Sequence, residues 1–118
     1  MGLLLSLNMI KDLITRSFEI RNRAHREHWA TKNGEQHRAL GEFYDGVIDG
    51  LDKYVEAYQG VFGTVEKSKD ATQHIRDELV WLCENRSKIA KDIPALENIL
   101  DELCGLYMTT LYKLENLR

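Results

Sequence analysis

Four runs of helically spaced apolar residues are separated by three breaks: Asn33-Gly34, the stretch from Gly60 to Gly63, and Asp92-Ile93-Pro94, where Asp can cap and Pro can open a helix. The pattern predicts helices over about 4–32, 35–59, 67–90 and 94–117. The fourth run is the plainest, with Leu96, Ile99, Leu100, Leu103, Tyr107, Thr110, Leu111, Leu114 and Leu117 recurring at three- and four-residue steps. The third offers Ala71, Ile75, Leu79, Leu82, Cys83 and Ile89. Cys83 and Cys104 fall on or beside these faces and read as small buried hydrophobes rather than as a redox pair. The expected fold is all-α, an antiparallel four-helix bundle in one domain. A second connection of about eight residues reaches at most about 28 Å, which favours up-down-up-down packing over a crossover.

Histidines interrupt this apolar logic. On a helical wheel Leu3, Leu7, Ile10, Ile14, Phe18, His25 and His28 fall within roughly 40° of one line. The matching face of the second helix carries His37, Leu40, Tyr44, Val47, Ile48, Leu51, Val55 and Tyr58. Any one histidine alone reads as a satisfied core or interface group. Three converging imply more: His28 and His37 lie close to the Asn33-Gly34 turn on either side and so sit at similar heights in the hairpin.

Asp45, Asp49, Asp52 and Glu56 step along one flank of the second helix, roughly 80 to 140° from Tyr44. This flank is either a solvated acidic face, with only Lys53 to offset it, or half of a cation site. Carboxylate with imidazole suits Fe, Mn or Zn. His37 and Asp52 are fifteen residues apart, about 22 Å along the axis, so one chain cannot place both on one metal. The Glu-x-x-His pair of the usual intrachain dimetal bundle is absent. If His28 and His37 share a metal with Asp52 and Glu56, the acids come from a second copy across a two-fold axis.

Composition narrows the field without adding a partner. The 118 residues hold 16 Lys+Arg against 19 Asp+Glu, a net charge of −3, with 43% hydrophobic and 30% charged residues. This is the balance of a single globular domain, outside the disordered range, with no blanket attraction for nucleic acid or anionic lipid. One proline and eight glycines are too few turn residues for an all-β fold. Two cysteines make no disulfide framework and no structural zinc site, so a reducing, cytoplasmic setting is the default. The opening apolar stretch is too short to span a bilayer and lacks signal-peptide flanks. Met1-Gly2-Leu3-Leu4-Leu5-Ser6 formally matches a myristoylation pattern of the kind that recurs by chance. Ser6, Ser17, Ser68 and Ser87 show no nucleophile-elbow or glycine-rich context, and no phosphate-cradling loop is present.

The segment Ala24-His25-Arg26-Glu27-His28-Trp29 resembles the first-helix segment of the DNA-protection-during-starvation (Dps) branch of the ferritin superfamily. His37, followed by Asp52 and then Glu56, is similar to that family's second helix, as are Phe43-Tyr44-Asp45 and the run Tyr54-Val55-Glu56-Ala57-Tyr58-Gln59-Gly60. The resemblance covers roughly residues 17–63 and is closest to the compact Dps-like proteins of phage genomes. It implies a ferritin-like bundle that binds Fe²⁺ at two-fold subunit interfaces and oxidises it with O₂ or H₂O₂. Carried onto this chain, it implies His28 and His37 as ligands from one subunit, with His25 in reserve, and Asp52 and Glu56 from the partner. Trp29 would keep the surroundings dry, and Asp45 or Asp49 would guide iron inward. Zn or Mn could take the same donors. The homo-oligomer it implies needs no membrane, and no lysine-rich tail points to nucleic acid. The competing expectation is a non-catalytic helical module, a phage-type regulator or inhibitor, that keeps the bundle and dimer surface for binding a protein or small effector.

Overall fold

The computed structural model describes residues 2–117, leaving aside the side chains of Leu3, Leu4 and Ser6. The myristoylation match and Leu3's place on the first stripe therefore lie outside the described residues. Four helices follow in order: α1 (Gly2–Ala30), α2 (Gly34–Phe62), α3 (Thr72–Ile89) and α4 (Pro94–Asn116). Among the described residues there is no strand, and no helix is long and apolar enough to cross a membrane. The chain divides into two compact units, one ending at Lys67 and the other starting at Ser68. Each is a helical hairpin: α1 packs on α2, and α3 on α4.

The first turn is closed by local polar chemistry. Asn33 caps α2, its side-chain oxygen accepting from the N–H groups of Glu35 (2.9 Å) and Gln36 (3.0 Å), which satisfies two of the four amides a helix start leaves unpaired. The Asn33 N–H donates to Thr31 Oγ1, and that hydroxyl donates to Gln36 Oε1 at 2.8 Å. Three residues therefore suffice to reverse the chain between two helices of 29 residues. The buried line of α1 runs through Ile10, Ile14, Ser17, Arg21, Ala24 and His28 at steps of four and three. Phe18, expected on the stripe, is 49% exposed. On α2 the expected face holds from Leu40 onward, with Leu51 buried and Leu40, Tyr44, Val47, Ile48, Val55 and Tyr58 half-buried around it, while His37, expected on the same face, is exposed.

α2 ends at Gly63, whose φ of 92° a side chain would strain. Gln59 finishes the turn twice, its carbonyl accepting from Gly63 N–H and its side-chain oxygen from Val65 N–H. The third helix then starts at Thr72, five residues later than the apolar pattern suggested, because Asp70 Oδ1 accepts from the Thr72 amide at 2.9 Å and its hydroxyl at 2.5 Å. The connection is thus residues 63–71, reaching about 30 Å. Its length alone does not dictate the direction of α3.

The second turn departs from the expected cap. Asp92 does not cap α4; it sits with Lys91 in the left-handed region, at φ of 58° and 52°. Asp92 N–H donates to Ser87 O and Lys91 N–H to Lys88 O, the paired bonds of a Schellman ending with lysine where glycine is usual. Ile93 holds the cap position of α4 and Pro94 its first turn, where a missing N–H costs nothing. Along the faces, Leu82 and Cys104 are buried, while Ile75, Leu79, Leu100, Tyr107 and Leu111 are half-buried.

Arg86 joins the two helices of the second unit. Its Nε and Nη2 grip Asp101 at 2.6 and 2.8 Å, and Nη1 reaches Glu97 at 2.6 Å. The guanidinium holds the Asp101 carboxyl below its ordinary value of 3.8, chiefly through the hydrogen bond; desolvation is the next-largest effect and opposes it, and the Arg86 charge adds a smaller lowering. A depressed carboxylate contributes stability above the unfolded value and loses it as pH falls through the folded one. The unit is therefore expected to lose thermal stability as acid is added below pH 3.8. Melts followed by circular dichroism across that range should show the loss, and Asp101→Asn should flatten it.

Candidate functional site

The closed end of the first hairpin brings two histidines face to face. His28, two residues before the end of α1, and His37, in the first turn of α2, stack with ring centroids 3.6 Å apart and planes 20° from parallel. Each ring also reaches across to the other's backbone. His28 Nδ1 lies 2.5 Å from His37 O, and His37 Nδ1 lies 2.6 Å from His28 O. A carbonyl oxygen only accepts, so both Nδ1 atoms carry the proton. In the neutral rings both Nε2 atoms are then left with a lone pair. An imidazole whose Nδ1–H is held by a backbone carbonyl is the usual form of an oriented metal ligand.

Gly41 makes room for this pair. A Cβ built there would stand 3.1 Å from His28 Cε1 and 3.4 Å from its Nδ1, so the ring edge lies directly against the α2 backbone. Sequence patterning passed over Gly41, although a glycine inside a helix, where alanine is favoured by up to about 1 kcal/mol, is a signal of close approach.

His25 is held one turn earlier on α1. It stacks on Tyr44 (3.9 Å, 13°) and meets Trp29 at 4.3 Å. Arg21, which the sequence reading also passed over, places its guanidinium 5.3 Å from the Tyr44 ring centre. Desolvation by these neighbours pushes the His25 imidazole below its ordinary value. The Arg21 and His28 charges add to this, and Asp45 opposes them. Trp29 lies against His25 and, within one chain, is 70% exposed.

The four acids of α2 are placed as their spacing implied: Asp45, Asp49, Asp52 and Glu56 are all exposed along one flank, with Lys53. Of them, Asp45 alone bears on the histidines, through its charge on His25. Among the described residues, no group of three or more His, Cys, Asp or Glu side chains is placed to hold a metal ion. The structure thus unites His28 with His37, sets His25 on Tyr44 beside them, and leaves Asp52 and Glu56 far down the same helix.

Taken together, these features define an all-α protein of two helical hairpins, the first closed over a reciprocally bonded imidazole pair. The chain belongs to DUF5856, a family of unknown function, which it matches over residues 28–114. That span begins at His28 and takes in His37, the acidic flank of α2 and all of α3. No curated protein and no solved structure matches the chain.

Proposed function

We propose that this chain is a Dps-like iron-binding protein whose two hairpins form an antiparallel four-helix, ferritin-like bundle. Two copies related by a two-fold axis build each site. His28 and His37 come from one copy, with His25 in reserve, and Asp52 and Glu56 from the other. Fe²⁺ is the substrate, bound by mixed imidazole and carboxylate donors suited to it, and O₂ or H₂O₂ takes its electrons. The observation that carries this reading is the reciprocal Nδ1–H to carbonyl pair, which prepares two Nε2 lone pairs at one place on the chain. The separation of His37 from Asp52, about 22 Å along α2, is why the acids must be the partner's. Fe²⁺ added in air to metal-free protein should give ferric absorbance that saturates at a small whole number of irons per pair of chains. The His37→Ala, Asp52→Ala double variant should give none; a double variant that oxidises iron as the parent does ends the proposal.

A second reading is favoured by Trp29, which meets His25 and is 70% exposed, and by Phe43 on α2, which is 47% exposed. Large aromatics at such exposure suit a protein-binding surface, with the acidic flank as its charged border. Under that reading the protein forms a defined oligomer yet retains no Fe, Zn or Mn after loading and desalting. Metal analysis of the loaded protein separates the two.

A further inference from the structure

The second hairpin sets its two cysteines opposite each other. Arg86 on α3 grips Asp101 on α4, and in antiparallel helices a step of three residues back along α3 is matched by three forward along α4. Those steps lead to Cys83 and Cys104, on the same sides of their helices as the ion pair. The two thiols are near enough for Cys83 to act on the titration of Cys104. Their environments differ: Cys104 is buried at 5% exposure, whereas Cys83, expected as a buried hydrophobe, is exposed.

The geometry points to an oxidisable dithiol: Cys83 and Cys104 close a disulfide across the α3/α4 hairpin when the chain meets a hydroperoxide. Cys83, open to solvent, reacts first. Its sulfur attacks one oxygen of H₂O₂, the O–O bond breaks, and the thiol proton leaves with the other oxygen as water, giving a sulfenic acid. The Cys104 sulfur then attacks the Cys83 sulfur, the S–O bond breaks, and the second water carries away the Cys104 proton. Two thiols lose two electrons and two protons, and one peroxide becomes two waters. Burial, then the Cys83 and Asp101 charges, hold the Cys104 thiol above its ordinary value, so its proton must leave as it attacks, which makes the second step the slower one and Cys83 the first to react. Cysteines opposed at this register across a packed helix pair are the arrangement that side-chain rotation can close to the roughly 2.05 Å of a disulfide bond. The bond would tie α3 to α4 near mid-length, enclosing the Lys91-Asp92 turn.

The test treats the reduced full-length chain with a small excess of H₂O₂, removes the peroxide, and alkylates under denaturing conditions. The expected result is loss of both alkylatable thiols, with a monomer lighter by two hydrogens. Tryptic digestion should join residues 77–86 to residues 92–113, and dithiothreitol should restore both thiols. Cys104→Ser should stop at the sulfenic acid, trapped by dimedone on Cys83. Two thiols surviving in the wild-type chain, or links between Cys83 of two chains in place of the 83–104 link, overturn the proposal. Both readouts are independent of the iron reading.

Discussion

Gly41→Leu is expected to dislodge His28 and with it the iron binding proposed above, while Gly41→Ala moves the ring only slightly. The difference follows from one distance. An alanine Cβ would meet His28 Cε1 at 3.1 Å, a crowding that a shift of a few tenths of an ångström relieves. Alanine also favours the helix by about 0.8–1.0 kcal/mol over glycine, so that variant should be near neutral in stability. Leucine adds three more carbons where the imidazole now lies, and the 2.5 Å bond to His37 O cannot survive the ring's departure. Overpacking of this kind costs about 1–3 kcal/mol. The imidazole nitrogen signals in ¹⁵N NMR give a direct measure. The parent should show protonated Nδ1 on both rings, and the leucine variant should lose this pattern at His28. An unchanged pattern in Gly41→Leu would mean that the ring does not rest against α2.

Leu51→Ala carries the largest expected loss of stability, about 2–5 kcal/mol. Leu51 is 7% exposed and lies at the centre of the apolar face of α2. Truncation removes its burial energy and leaves a cavity that two helices braced by their turn close incompletely. Leu51→Met, which conserves volume, should cost less than about 1.5 kcal/mol. Urea titration distinguishes the two: the midpoint should fall sharply for alanine and little for methionine, with the slope unchanged if the unfolded chain is unaffected. An alanine variant as stable as the parent would place Leu51 outside the core.

These two positions also show what the chain's letters disclose and what they withhold. Helix period located Leu51, Tyr44 and Leu82 because burial imposes a repeat that any helix face must repeat. The pairing of His28 with His37 was equally legible, since a short turn forces residues on either side to equal height. The start of α3 was not. Residues 66–70 are all polar, so apolar spacing marks no boundary there, and the bonds from Thr72 to the Asp70 side chain that precede the first helical turn leave no trace in the period. Gly41, Arg21 and the exposure of Cys83 escaped for a related reason. Each depends on which of two neighbouring positions a helix turns toward its partner, a rotation of tens of degrees that period alone does not fix. The acids of α2 are the opposite case: their placement along one exposed flank was plain from their spacing.

Arg86 has a consequence for how the second hairpin avoids slippage. Its planar fork is filled by Asp101 and Glu97, four residues apart on α4. Sliding α4 by one turn in one direction would offer the fork Asp101 and Gly105; sliding it the other way would offer Ile93 and Glu97. Either displacement forfeits one carboxylate, while the leucine-rich apolar surface would tolerate the shift far better. The guanidinium therefore acts as a detent, selecting one alignment among several that greasy contacts alone would leave close in energy.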